Sequence, residues 1–81
     1  MVAQQMPLAM VAPRESVKVV SIRAGRGLTQ RLADLGLTPG VRLTVISGLM
    51  SGPVIIELRG SRLALGHGVA HKIMVQRADD A

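Results

Sequence analysis

The sequence contains no cysteine and no phenylalanine, tyrosine or tryptophan. Without cysteine, a disulfide framework and thiolate metal sites are excluded, and the composition suits a reducing compartment. Without aromatic residues, the core of this chain of 81 residues must be built from aliphatic side chains and methionine. The same lack argues against single-strand nucleic-acid binding, which relies on bases stacking on aromatic rings.

Long apolar runs and acidic residues are also scarce. No run approaches the roughly 18 consecutive apolar residues of a membrane-spanning helix, and residues 1–13 lack the basic start of a secretory signal. We therefore expect a cytoplasmic protein that is not embedded in the membrane. Ten lysines and arginines against five acidic residues give a net charge of +5. This charge favours solubility and acidic partners, and nucleic-acid binding is the alternative that charge alone supports.

The few acidic residues argue against catalysis. Glu15, Asp34, Glu57, Asp79 and Asp80 are scattered among predicted strand, helix and tail, with no pair that the pattern brings together. General acid–base chemistry needs a positioned pair of carboxylates or a carboxylate–histidine partnership. We therefore expect a protein without enzymatic activity.

The clearest local pattern is helical. Leu28, Leu32 and Leu35 recur at i, i+4 and i+7, which predicts a short helix with one apolar stripe. Such a short helix is stable only if the stripe docks on a larger core, so we expect all three leucines to be buried. Gly36 follows the stripe and predicts the end of the helix, because a left-handed conformation there costs glycine little.

Beyond this helix the period changes to the alternation of strands. Pro39-Gly40 fits the central positions of a type II turn into the next strand, and Arg59-Gly60 fits a tight hairpin. Val19-Val20 interrupts the alternation of the first strand, which indicates either burial on both faces or a β-bulge. Five strands are predicted in all, at residues 16–22, 41–46, 54–58, 61–65 and within 72–76.

The five short strands and the single helix predict one small domain. They favour a mainly β, closed or nearly closed barrel, with the helix across one open end. Residues 1–13 are predicted to be a loosely ordered lead with one anchoring contact through Leu8 and Val11. The barrel is expected over residues 14–77, and residues 78–81 are expected to form a polar tail.

The loop from Ser47 to Pro53 carries Leu49 and Met50 among serines, glycines and a proline. These two apolar side chains either fold back over the barrel end or form a docking site for a partner, and the sequence favours neither.

His67 and His71 are the only histidines, at i and i+4. On a helix both imidazoles would share one face and could bind a divalent metal. Gly66 and Gly68 argue against such a helix, however, and two ligands alone make a weak site. We therefore favour solvated or turn histidines and expect no cofactor, beyond a weak or adventitious divalent metal that two molecules could trap between them.

The helix and turn carry a family resemblance. RLADLGLTPG, Arg31 to Gly40, resembles the RLxxLGLxPG signature of the FeoA family, the small cytosolic partners of the bacterial ferrous iron transporter FeoB. Three further segments are similar to the family in the same order, at Pro7–Ile22, Gly52–Gly66 and Val69–Val75. Arg14 departs from the family, which usually has glycine there in a Pro-Gly turn.

This resemblance implies an SH3-like barrel of about five strands with one short inserted α-helix and no catalytic residues. It also implies a role in ferrous iron uptake by contact with the cytosolic region of the transporter. The expected contacts are Leu49 and Met50 in the loop and Arg31 on the outward face of the helix. The family is often described as binding transition metals, but no complete ligand set is found in this sequence.

Two other functions stay open. Similar barrels occur as C-terminal domains of iron-responsive repressors, so a metal-dependent regulatory domain is one alternative. A basic RNA-binding barrel is the other. Self-association of the chain is compatible with each of these functions.

Overall fold

One antiparallel sheet organises the chain in the computed structural model, which describes residues 4–48 and 52–78. The mainly β architecture predicted from the sequence is confirmed, with six strands and two short α-helices in the described residues. In chain order the elements are β1 (Gln5–Pro7), a 3₁₀ turn (Leu8–Met10), β2 (Ser16–Ile22), α1 (Arg26–Asp34), β3 (Arg42–Ser47), β4 (Val54–Leu58), β5 (Ser61–Leu65), α2 (His67–His71) and β6 (Ile73–Arg77).

The strands are ordered β1-β6-β2-β3-β4-β5, and every neighbouring pair is antiparallel. Alternate residues of the strands point into one core, as the period-2 pattern predicts. This core is entirely apolar among the described residues. Its strand members are Val17, Val19, Leu43, Val45, Val54, Ile56, Leu58, Leu65, Ile73 and Val75.

A β-bulge explains the broken alternation in β2. Val19 pairs with Val75, but the next pairing of the two strands joins Ser21 to Met74, so Val20 is an extra residue. Val19 is buried, whereas Val20 and Ser21 are both half-buried. Of the two interpretations left open by the sequence, the bulge is therefore the one found.

The beginning of the described chain is part of the domain. β1 pairs with β6, and the 3₁₀ turn that follows buries Leu8 and Ala9, with Val11 buried next to it. The prediction of a loosely ordered lead is wrong for these residues. A strand of three residues is too short to show a period, and its stability comes from pairing with β6 rather than from local sequence.

The predicted helix forms as α1 and ends in a Schellman motif. The Leu37 N–H donates to the Leu32 carbonyl at 2.9 Å, and the Gly36 N–H donates to the Ala33 carbonyl at 2.9 Å. Gly36 has a φ of +96°, as this motif requires. The reversal brings Leu37 next to Leu32, so both are buried in the core, while Leu28 packs at its edge.

Leu35 does not join them. It is the C-cap residue that directly follows the helix, and its side chain is 49% exposed. The prediction that three leucines dock on the core is therefore wrong for the third. The Schellman reversal turns the chain back immediately after Leu35, and the hydrophobic contact is made by Leu37 instead.

The predicted turns are found. The Val41 N–H donates to the Thr38 carbonyl at 3.1 Å across Pro39 and Gly40, and Gly40 has a φ of +94°. Arg59 and Gly60, with φ angles of +52° and +82°, connect β4 to β5 as a tight hairpin of the type I′ kind.

Candidate functional site

The outward face of α1 carries the exposed pair Arg31 and Leu35, which we call the α1 ridge. The two residues are separated by four positions, so their side chains are neighbours on the helix surface. Gln30 and Asp34 flank the ridge and are joined by a hydrogen bond from the Gln30 amide to the Asp34 carboxylate at 3.0 Å. Within residues 4–48 and 52–78, the Arg31 guanidinium has no ion-pair partner, so it is available to a carboxylate on another molecule.

Leu35 is a candidate contact residue that the helical pattern wrongly assigns to the core. Among the described residues, Leu35 and Met10 are the only large hydrophobic residues that are exposed, at 49% and 60%. A period of 3.6 residues assigns Leu35 to the buried stripe. The signal that corrects this is the Leu-Gly-Leu sequence at positions 35–37, because a glycine at the first position after a helix is typical of a Schellman reversal.

The other predicted contact residues, Leu49 and Met50, lie outside the described residues. Their role in partner binding stays a prediction. The described neighbours are Gly48 before them and Gly52 and Pro53 after them, and the last two are exposed.

His67 and His71 are brought together on α2. Their ring centroids are 4.8 Å apart, and the ring planes meet at 68°. His71 is exposed and His67 is half-buried. The Nδ1 atom of His67 is buried and has no hydrogen-bond partner among the described residues. Gly66 and Gly68, which argue against a stiff helical turn, do not prevent one here, because α2 spans His67–His71.

Tertiary packing explains why α2 forms despite the two glycines. Ala70 is fully buried, and its N–H donates to the Gly66 carbonyl at 2.9 Å. α2 packs against the 3₁₀ turn and against β6. The energy of burying the inward face of α2 overrides the weak helix propensity of glycine.

A groove of about 350 Å³ crosses the outer face of β3 and β4. Its lining includes Ser16 and Thr44, whose hydroxyl oxygens are 3.1 Å apart, as well as Glu57 and Arg59. The Arg42 guanidinium also lines the groove, so two arginines and one carboxylate give its lining a net positive charge.

No group of three or more histidine, aspartate or glutamate side chains that could hold a metal ion occurs within residues 4–48 and 52–78. In the same residues, neither helix is long and apolar enough to cross a membrane.

The FeoA domain model matches residues 6–77, which contain the 3₁₀ turn, both helices and nearly the whole sheet. The chain belongs to the FeoA family. A Methanocaldococcus jannaschii protein named as an Fe(2+) transport protein A is 47% identical over 73 residues, which cover 90% of this FeoA chain and 88% of that protein.

Solved structures agree with this assignment. The crystal structure of an iron uptake regulatory protein (FeoA) is 36% identical, with a TM-score of 0.86, over 93% of this chain and all of that one. A manganese-dependent transcriptional repressor has the same fold over 44% of its length, with a TM-score of 0.84. At 19% identity, the likeness to the repressor shows the fold alone.

Proposed function

We propose that this FeoA chain supports ferrous iron uptake as a non-enzymatic cytoplasmic module that docks on the cytosolic region of a FeoB-type transporter. The 47% identical relative is named for Fe(2+) transport, and the 36% identical structure is named for iron uptake regulation. The observation that carries the docking proposal is the α1 ridge, where an exposed leucine lies next to an arginine with no ion-pair partner among the described residues.

The α1 ridge offers a partner one apolar contact and one charged contact. The Leu35 side chain is half exposed, so its transfer into an apolar pocket of a partner would remove further apolar surface from water. The guanidinium of Arg31 can bind a carboxylate with two parallel hydrogen bonds. Arginine is enriched at hot spots, which cluster where apolar side chains are fully desolvated on binding.

The ridge is also preorganised. Leu32 is anchored in the core, and the Schellman hydrogen bonds fix the end of α1. A partner therefore binds a helix that is already formed, and little conformational entropy is lost on association.

Capture of the chain by an immobilised cytosolic domain of the transporter tests this proposal. Leu35→Ser should weaken capture at least tenfold, and Arg31→Glu should do the same because it reverses a charge at the ridge. Both residues are exposed, so thermal unfolding should change little. If either variant is captured as well as the wild type, the α1 ridge is not the contact.

Matched controls are available on other elements. Met10→Ser removes an apolar side chain of similar exposure from the 3₁₀ turn, and Arg62→Glu reverses an exposed charge on β5. Both should be captured like the wild type. An equal loss in all four variants would indicate attraction by net charge and exposed apolar surface rather than a specific site.

The loop residues are tested separately. Substitution of both Leu49 and Met50 by serine should weaken capture while leaving thermal unfolding nearly unchanged, if the loop contributes to docking. An equal loss of stability would instead assign the two side chains to the core.

Metal-dependent gene regulation is the second candidate function, supported by the fold shared with the manganese-dependent repressor. RNA binding is supported only by the net charge of +5. A fluorescent nucleic-acid probe at low and high salt separates these functions from docking. Binding to the probe in the absence of transporter, with a steep dependence on salt, would favour an RNA partner.

A further inference from the structure

We propose that Asp79 and Asp80, which we call the acidic pair, bind in the groove across β3 and β4, so that the chain covers its own basic face. Both aspartates lie outside the described residues. Support comes from the charge of the groove, its free hydrogen-bond donors and the place where the chain arrives at it. The groove shares no residue with the α1 ridge, so this proposal and the docking proposal can fail independently.

The residue immediately before the acidic pair lies in the groove. Ala78 is part of the groove lining, and its N–H donates to the Ser16 carbonyl at 3.1 Å. Ser16 belongs to the lining as well. This hydrogen bond continues the pairing of β6 with β2 beyond Arg77. The acidic pair therefore starts from a fixed point in the groove.

The length of chain needed to reach the groove lining is short. An extended residue spans at most about 3.3–3.6 Å, so the Cα atom of Asp80 lies within about 7 Å of the Cα atom of Ala78. Arg42 and Arg59 line the same groove as Ala78. Both carboxylates of the acidic pair are therefore tethered close to arginine side chains.

The charges of the groove favour carboxylates as occupants. Arg42 and Arg59 contribute two guanidinium groups to the lining, against the single carboxylate of Glu57. Arg59 has no ion-pair partner among the described residues, so Glu57 does not neutralise it. A guanidinium can bind a carboxylate through two parallel hydrogen bonds. Because Glu57 repels a second carboxylate, the acidic pair is expected at the arginines.

Two hydroxyl groups of the lining add a hydrogen-bond donor. The hydroxyl oxygens of Ser16 and Thr44 are 3.1 Å apart, so one hydroxyl donates to the other. The second hydroxyl hydrogen has no acceptor among the described residues. An ionised carboxylate accepts hydrogen bonds at both oxygens, and this hydrogen is available to it.

Tethering makes weak contacts sufficient. An exposed ion pair contributes only about 0–1 kcal/mol by itself. A short linker, however, gives a tethered group an effective concentration in the range of about 1 mM or more. The acidic pair is therefore favoured over a free acidic segment, and such a segment of another molecule has to displace it to enter the groove.

NMR relaxation of the ¹⁵N-labelled chain at low salt tests the proposal. In the wild type, the backbone order parameters of Asp79 and Asp80 should exceed about 0.6, and the double variant Arg42→Gln/Arg59→Asn should lower them below that value. Asparagine suits position 59 because Asn-Gly is a favoured type I′ turn, so the β4–β5 hairpin is retained.

The matched control is the double variant Arg26→Gln/Arg62→Gln. It removes the same charge from two exposed arginines that do not line the groove, and it should leave both order parameters unchanged. The order parameter of Ala78 reports whether the groove backbone is intact, and it should stay the same in every variant.

Two further measurements separate ion pairing from simple attachment to β6. Raising the salt to about 0.5 M should lower the order parameters of the acidic pair in the wild type, because exposed charges are then screened. Neutralisation by Asp79→Asn/Asp80→Asn should move the side-chain Nε–H resonance of Arg59. Low order parameters in the wild type, an equal loss in the control, or no loss in the groove variant would overturn the proposal.

Discussion

Two arginines have left-handed backbone conformations, which residues other than glycine rarely adopt. Arg14 has a φ of +75° and Arg59 a φ of +52°, in the left-handed region. Left-handed backbone costs a residue with a Cβ atom about 1–2 kcal/mol. At Arg14 the conformation is held by a hydrogen bond, because its N–H donates to the Val45 carbonyl at 2.7 Å. Arg14 thus holds a backbone conformation that glycine adopts without strain.

Replacement of Arg14 by glycine is therefore expected to stabilise the protein. The gain should be about 0.5–1 kcal/mol, because relief of the left-handed strain is partly offset by the greater entropy of the unfolded chain. Urea unfolding measures it. Lys18→Gly in the extended strand β2 is the control and should lose a similar amount, while a loss of stability in Arg14→Gly would contradict the strain argument.

Leu32 and Leu35 differ in burial, so their replacements should differ in their effect on the free energy of unfolding. Leu32→Ala should destabilise the domain by about 2–5 kcal/mol, because it leaves a cavity at a side chain that is 2% exposed. Leu35→Ala should change stability by less than about 0.5 kcal/mol. Equal losses in urea unfolding would mean that Leu35 is buried after all.

At the scale of the element, the end of α1 depends on one glycine. Gly36 is left-handed, and a Cβ atom added there would lie 3.3 Å from Cδ2 of Leu58. Gly36→Ala should therefore cost about 1–2 kcal/mol in the free energy of unfolding.

A second glycine of the same helix is the control, with an effect of opposite sign. A Cβ atom added at Gly27 meets nothing within 4 Å, and its backbone is helical. Gly27→Ala should stabilise by up to about 1 kcal/mol in chemical unfolding, since alanine has the higher helix propensity. A stabilised Gly36→Ala would show that the Schellman motif is not required.

Elements with a strong period could be predicted from the sequence, and elements that depend on distant contacts could not. The alternation in β3 and β4 and the leucine spacing of α1 are local patterns, so these elements lie where expected. β1 exists because it pairs with β6, and α2 because Ala70 is buried, and neither cause is visible in neighbouring residues.

The same division holds for the candidate sites. Arg31 could be predicted because polar residues off the apolar stripe face outward. Exposure of Leu35 could not, since it results from the reversal at Gly36 rather than from the helical period. The i, i+4 spacing of His67 and His71 could be read from the sequence. The helix that brings their rings together could not, because it depends on tertiary packing.

At the scale of the whole molecule, the net charge of +5 should govern how fast the chain meets an acidic partner. Raising the salt from about 0.05 M to 0.5 M should slow association with the transporter domain at least tenfold and change dissociation much less. Surface plasmon resonance measures both rates. Arg31→Gln should lower this salt dependence, and rates that do not respond to salt would exclude electrostatic steering.

The aliphatic interior has a practical consequence for such experiments. With no tryptophan or tyrosine, the chain contributes no ultraviolet emission of its own. In any mixture, intrinsic fluorescence arises wholly from the other component, so a titration reports the partner's environment against a dark background, and the folding of this chain is followed by circular dichroism instead.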